Sequence, residues 1–277
     1  MSKKNELTEV RPAATAMALP DYMLAETVLG TDVMKEFVTP PRFKIVQKQS
    51  SNDLLSTFSE GDLIMLPDMV LCAQMQREGK SKEEWVGEAF RFTPLFFFAE
   101  WCTWNPIQMK GTLPAIRQRT LDPKSQLAIK ARNKDMWLEP CPENVAFKIR
   151  HCEHLNFMVA LHDGPYAGTG IAMSFARGAH FAGTRLCNLI QMRKAPMFGC
   201  VFEARVTWQQ NTMGDWWSLT AANPALESGS PWVTKAQMEI FKAMHLELSE
   251  MHDKLVIDYG EEDDDAATTT IAASTEY

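Results

Sequence analysis

Long hydrophobic runs are absent from this chain of 277 residues. The longest apolar stretch covers residues 95–99 and ends at Glu100, far short of the roughly eighteen apolar residues that can span a membrane. The start of the chain carries Lys3 and Lys4 with no apolar segment behind them, so we expect no secretory signal. These absences predict a globular protein that has no contact with a membrane and resides in the cytoplasm.

Disulfide and catalytic patterns are missing as well. The six cysteines are irregularly spaced, which favours reduced thiols over a disulfide framework. The sequence contains no phosphate-binding P-loop, no G-x-S-x-G elbow and no H-E-x-x-H motif, and its body carboxylates are scattered. The sequence therefore predicts a protein that is not an enzyme, with a metal-dependent nucleic-acid enzyme as an alternative.

One group of residues could bind zinc. Cys141, His151, Cys152 and His154 follow one another in a C-x9-H-C-x-H pattern. Zinc sites usually combine pairs of ligands at C-x2-4-C or H-x3-5-H spacing, and neighbouring residues of a strand point to opposite faces. We therefore expect no cofactor, and Cys141, Cys152 and His154 stay as alternative zinc ligands.

Negative charge is concentrated in the last twenty residues. The chain has 28 Lys and Arg against 35 Asp and Glu, and residues 258–277 contain seven of these acids and no base. The rest of the chain is therefore formally neutral. Such a segment buries too little apolar surface to offset the entropy of ordering, so the sequence predicts a disordered acidic tail. We expect six of its carboxylates to bind partner proteins: Asp258, Glu261, Glu262, Asp263, Asp264 and Asp265.

The patterns ahead of the tail predict an α+β, β-rich domain. Residues 1–38 read as a flexible leader, and residues 39–257 as one domain that ends in a helix over 234–252. Strand patterns occur at 42–46, 63–66, 89–94, 95–104, 155–161 and 171–175, and residues 202–208 and 215–220 should form a hairpin. Thr234 and Gln237 form a capping box ahead of the last helix, and a second helix is expected over 178–193. An OB-like barrel with helical additions is one way to assemble these elements.

Positive charge and aromatic residues gather in the middle of the chain. Residues 105–205 contain fourteen basic and seven acidic side chains. Basic side chains contact phosphates, and exposed aromatic rings stack on the bases of a single strand. The sequence therefore predicts a nucleic-acid-binding surface with Trp101 and Trp104 as stacking residues. The predicted basic contacts are Arg117, Arg119, Lys130, Arg132, Lys134, Arg150, Arg177 and Arg185.

The combination of these parts resembles the single-stranded DNA-binding proteins of bacteriophages. The resemblance rests on the β-rich basic body, the final helix and the tail DYGEEDDD, together with segments such as FKIRHCEHLNFMVAL. It implies an OB-type core that binds single-stranded DNA without sequence preference in replication or recombination. It also implies an acidic tail that contacts replication or recombination proteins and competes with DNA, so that deleting residues 258–277 should tighten binding at low salt.

Two alternatives differ from this interpretation. An acidic-tailed regulatory protein would recruit partners without contacting nucleic acid, and the metal-dependent enzyme would use the cysteine and histidine group. The sequence is also compatible with a homo-oligomer.

Overall fold

The computed structural model describes residues 40–251 except 78, 80, 165, 212 and 213 and the side chains of residues 83 and 226. The predicted leader (1–38) and acidic tail (258–277) lie outside the described residues. None of the helices in the described part is long and apolar enough to cross a membrane.

Twelve strands in the described residues form one sheet. They are β1 (Arg42–Ile45), β2 (Leu63–Leu66), β3 (Val70–Ala73), β4 (Met75–Gln76), β5 (Val86–Gly87), β6 (Phe90–Trp104), β7 (Ile116–Thr120), β8 (Leu138–Cys141), β9 (Asn144–Leu161), β10 (Gly170–Ala176), β11 (Phe202–Asn211) and β12 (Gly214–Ala222). The path through the sheet runs β3-β2-β1-β10-β9-β6-β11-β5-β4, with β12 on β11, β7 on β6 and β8 on β9. The sheet is nearly closed into a barrel.

The antiparallel pair β6–β9 lies in the middle of this sheet. Its register runs from Phe92 opposite Leu161 to Trp104 opposite Arg150, with an irregularity between Pro94 and Phe96. Because proline has no N–H to donate to a ladder, a bulge is the usual way to accommodate it inside a strand. The sequence placed a boundary at Pro94, whereas β6 continues through it.

The Gln47 side chain and the Trp217 backbone join the segment after β1 to β12. The Gln47 side-chain amide donates to the Trp217 carbonyl at 2.8 Å and accepts from the Trp217 N–H at 3.0 Å, which imitates one step of a β-ladder. The Trp217 indole N–H also donates to Glu60 at 3.0 Å. Inside the barrel, Phe157, Met173 and Phe202 belong to one large apolar core, which provides most of the hydrophobic stabilisation.

Four α-helices accompany the sheet in the described residues: α1 (Asn52–Thr57), α2 (Gln126–Arg132), α3 (His180–Arg193) and α4 (Lys235–Glu250). Helix α4 buries Phe241 in a second apolar cluster on the other face of β6 and β9. The His245 ring nitrogen Nδ1 anchors the same helix to the Leu95 carbonyl at 2.7 Å. Helix α3 packs so closely on β10 that a Cβ at Gly183 would lie 2.7 Å from the Phe175 Cβ.

The predicted α+β, β-rich fold is confirmed, and the barrel-like sheet is compatible with an OB-type barrel. The predicted hairpin exists as β11–β12, with Trp208 opposite Trp217. The capping box of Thr234 and Gln237 opens α4, which ends within two residues of the predicted end.

Candidate functional site

A cleft of about 770 Å³ opens beside β1 and the β11–β12 hairpin. Its walls come from β1, the middle of β9, the end of β10, the start of α3 and the residues that follow α2. Segments distant in sequence therefore meet here because β1 pairs with β10 and Gln47 bonds to β12. A volume of this size lies within the roughly 300–1,000 Å³ of ligand-binding pockets.

Positive charge dominates the walls of the cleft. Histidines aside, six of the lining side chains are cationic and two are carboxylates. The cations are Arg42, Lys44, Arg132, Lys134, Arg150 and Arg177, and the carboxylates are Glu153 and Asp215. Because both carboxylates already have cationic partners, the cleft as a whole favours an anionic ligand.

Glu153 organises one wall of the cleft. It lies opposite Trp101 in the β6–β9 register and accepts a hydrogen bond from the Trp101 indole N–H at 3.1 Å. Arg132 bonds to the same carboxylate at 2.9 Å, and the His180 Nε2 atom lies 2.9 Å from it. Hydrogen bonds from His180 and Arg132 lower the Glu153 pKa below its ordinary value, so this carboxylate stays ionised and fixes both side chains.

Three arginines of the cleft lie over tryptophan rings. The guanidinium carbon of Arg132 is 4.6 Å from the Trp101 ring centre, that of Arg177 is 5.1 Å from Trp104, and that of Arg150 is 5.5 Å from Trp137. Such cation–π contacts are worth about 0.5–2 kcal/mol each. A guanidinium that lies over an indole ring keeps its planar, bidentate donor geometry, which suits phosphate oxygens.

The start of helix α3 forms another part of the wall. A 3₁₀ turn (Arg177–Ala179) leads directly into α3, and neither Ala176 nor Ala179 provides a side-chain cap. Arg177 has a φ of 52°, a left-handed conformation that is uncommon for a residue other than glycine. Gly178 packs against Trp216, since a Cβ there would lie 2.6 Å from the indole nitrogen Nε1. This nitrogen is buried and has no hydrogen-bond partner among the described residues.

Side chains of the barrel core close the bottom of the cleft. Phe43, Trp217 and Leu219 line the cleft and also belong to the large apolar cluster inside the barrel. The cleft thus has an apolar floor beneath a basic wall.

No family model matches the chain, and neither does a curated protein or a solved structure. The resemblance to bacteriophage single-stranded DNA-binding proteins therefore stays a prediction.

Five of the ten predicted nucleic-acid contacts line the cleft: Trp104, Arg132, Lys134, Arg150 and Arg177. Four of the other five are engaged elsewhere. Arg117 pairs with Glu143, Arg119 with Glu100 and Lys130 with Glu139, and Trp101 lies beneath Arg132. The remaining residue, Arg185, is exposed on α3 away from the cleft.

The predicted exposure of the two stacking tryptophans is corrected by the structure. Trp101 and Trp104 are each only 2% exposed, because the ladder β6–β9 lies in the middle of the sheet and is covered on both faces. Their rings stack on arginines, and the Trp104 indole N–H also donates to His154 Nε2 at 3.3 Å. Neither ring presents an open face to a base.

Sequence reasoning missed several residues of the cleft, among them Arg42, Lys44, Trp137, Trp216 and His180. Arg42 and Lys44 alternate with Phe43 on β1, which is a recognisable signal of a basic strand face. They lie outside the basic middle of the chain, so a search confined to that segment overlooks them. Their proximity to β9 depends on strand pairing that no local pattern reveals.

The alternative zinc ligands occupy separate surroundings. Cys141 contacts Glu143 at 3.1 Å and the Met109 sulfur at 3.7 Å, while Cys152 lies opposite Cys102 on β6. Burial lowers the pKa of His154 to about 3, so its ring is neutral. Within the part of the chain that the structure describes, no three His, Cys, Asp or Glu side chains are arranged to hold a metal ion.

Proposed function

We propose that this protein binds single-stranded DNA through the basic cleft, without catalysis, in phage DNA replication or recombination. The observation that carries the proposal is the set of six cations, three of them stacked on tryptophan, around a cleft with only two carboxylates. A DNA strand provides the repeated negative charge that such a wall attracts, and its planar bases suit an apolar floor.

Lack of sequence preference follows from the kind of contact. Guanidinium groups fixed on indole rings meet phosphate oxygens, which are the same at every position of a strand.

The acidic tail completes the proposal as an internal competitor, because its carboxylates have the same sign of charge as DNA and follow the described domain on the same chain. Replication or recombination proteins are the proposed partners of the tail.

Binding of a fluorescent oligothymidylate over a series of salt concentrations tests the proposal. The full chain should bind the strand more tightly than a duplex of equal length, and its affinity should fall as salt rises. In the double variant Lys134→Gln, Arg150→Gln, we expect an affinity at least about tenfold lower and a salt slope reduced by roughly 1.4, since each lost phosphate contact removes about 0.7.

Lys124→Gln is the control for loss of a positive charge outside the cleft. Lys124 is exposed and lies outside the cleft, so this variant should keep the wild-type affinity and slope. Melting curves establish that all variants are folded. Absence of strand binding by micromolar wild-type protein at about 50 mM salt would refute the proposal and favour the regulatory protein that does not contact nucleic acid.

A further inference from the structure

Two buried cysteines face each other across the middle strands of the sheet. Cys102 on β6 lies directly opposite Cys152 on β9 in the antiparallel register, and both are free thiols in the same apolar cluster. Opposite residues of an antiparallel pair have Cα atoms about 4.5–5.5 Å apart and side chains on the same face. A disulfide joins Cα atoms roughly 4.4–6.8 Å apart. The pair can therefore be linked with only a small adjustment of either strand.

The two thiols differ in their access to small molecules. Cys102 is 0% exposed, whereas Cys152 is 6% exposed and belongs to the wall of the cleft. The cleft is large enough for a small-molecule ligand, and the positive charge of Arg150 and Arg177 in its wall attracts an anionic one. Cys152 is therefore the member of the pair that an anionic disulfide in the cleft reaches first.

The surroundings of Cys102 suit the second step of a thiol–disulfide exchange. Burial raises the pKa of the Cys102 thiol, and the charge of Glu100 raises it further. Since the thiolate is the nucleophile, such a thiol attacks an external disulfide slowly. A sulfur that is already held opposite it on Cys152 is a much better target, because the reaction is then intramolecular.

We infer that Cys102 and Cys152 form a reversible disulfide when the protein meets a low-molecular-weight disulfide of the glutathione type. Cys152 Sγ attacks one sulfur of this reagent, and a mixed disulfide forms while the first thiol leaves with the Cys152 proton. Cys102 Sγ then attacks Cys152 Sγ, and the second half of the reagent leaves as a thiol with the Cys102 proton. Two protein thiols are thereby oxidised, and one external disulfide is reduced to two thiols.

The position of this bond connects it to the cleft. Trp104 and Arg150 lie opposite each other two residues further along the same two strands, and both line the cleft. Oxidation therefore joins β6 to β9 where the two strands support the basic wall. The inference concerns the thiols alone and does not depend on the proposed function.

Thiol counting by mass spectrometry tests the inference in the folded, full chain. The reduced protein is incubated with oxidised glutathione at mildly alkaline pH, quenched with acid, and alkylated in denaturant. We expect four of the six cysteines to be alkylated and peptide mapping to find Cys102 linked to Cys152. Treatment with dithiothreitol should then return all six thiols.

Single variants separate the two steps. Cys102→Ser cannot complete the second step, so it should accumulate glutathione on Cys152. Cys152→Ser should take up no glutathione at Cys102, because the buried thiol lacks its partner. Cys141→Ser is the control: Cys141 is equally buried but lies opposite Asn144, so this variant should form the same link as the wild type. Melting curves establish that each protein is folded.

Six alkylated cysteines in the treated wild-type protein would overturn the inference, as would a link that involves any other cysteine. Glutathione that stays on Cys152 of the wild type would show that Cys102 does not reach it, which also overturns the pair. Loss of strand binding by the reduced protein bears on the proposed function instead, so the two failures are distinguishable.

Discussion

Arginine and tryptophan side chains work in pairs around the cleft. Arg132, Arg150 and Arg177 each lie over an indole ring, and Glu153 holds Arg132 from the side. An arginine on such a platform loses less side-chain freedom on binding a phosphate than an arginine that projects into solvent.

The residue types of the site were predictable from sequence. Their roles were not, since the exposure of Trp101 and Trp104 depends on what covers each face of the sheet.

Protonation of His154 should govern part of the stability at mildly acidic pH. Burial lowers the pKa of His154 from 6.5 to about 3 in the folded protein. The unfolded chain therefore takes up a proton below about pH 6.5 that the folded protein accepts only near pH 3, so stability falls as the pH is lowered through this range. Between about pH 7 and pH 5 this one residue should cost about 2 kcal/mol of the free energy of unfolding.

The variant His154→Gln removes this ionisation and keeps an acceptor for the Trp104 indole N–H. Urea unfolding at the two pH values should show a smaller loss of stability in the variant than in the wild-type protein, by about 2 kcal/mol. Other groups with lowered pKa, such as Glu153 and His162, are present in both proteins and cancel in the comparison. Equal pH dependence of the two proteins would show that His154 titrates normally.

Helix α3 packs closely on strand β10 at Gly183, where a side chain would collide with Phe175. Gly183 lies on the buried face of α3, and Phe175 on β10 is fully buried. Gly183→Ala gains roughly 1 kcal/mol of helix propensity. However, the new Cβ would lie 2.7 Å from the Phe175 Cβ, and overpacking typically costs about 1–3 kcal/mol.

We expect the steric cost to win, because the atom that must yield is a Cβ and not the end of a flexible side chain. Gly183→Ala should therefore lower the urea midpoint, whereas Asn188→Ala on the exposed face of the same helix should leave it unchanged or raise it slightly. A Gly183→Ala protein as stable as the wild type would mean that α3 can move away from β10.

Elements defined by local patterns were predictable from sequence. The β11–β12 hairpin, the capping box before α4 and the β1 and β2 strands depend on alternation and on turn or cap residues close in the chain. Strand β6 was harder, because Pro94 is a general signal of interruption and only pairing with β9 allows the bulge that carries the strand past it.

The barrel and its cleft depend on contacts across the whole chain. Gln47 and Trp217 are 170 residues apart, and their two hydrogen bonds bring β1 against β12. The site therefore combines residues of six distant segments, and no local pattern connects Lys44 with Arg150 or Trp216. Clustering of charge along the sequence located half of the predicted contacts in the cleft, because the basic segment 105–205 includes the end of α2, strand β9 and the turn before α3.

Ultraviolet crosslinking of oligothymidylate to the full chain, followed by mass spectrometry of the peptides, tests the central claim most directly. The account predicts crosslinks within residues 131–138, 174–180 and 214–219, which line the cleft on three sides. Competition with excess unlabelled strand should remove them together. Crosslinks confined to surfaces outside the cleft, such as the exposed loop around Lys124, would contradict the assignment of the cleft as the binding site.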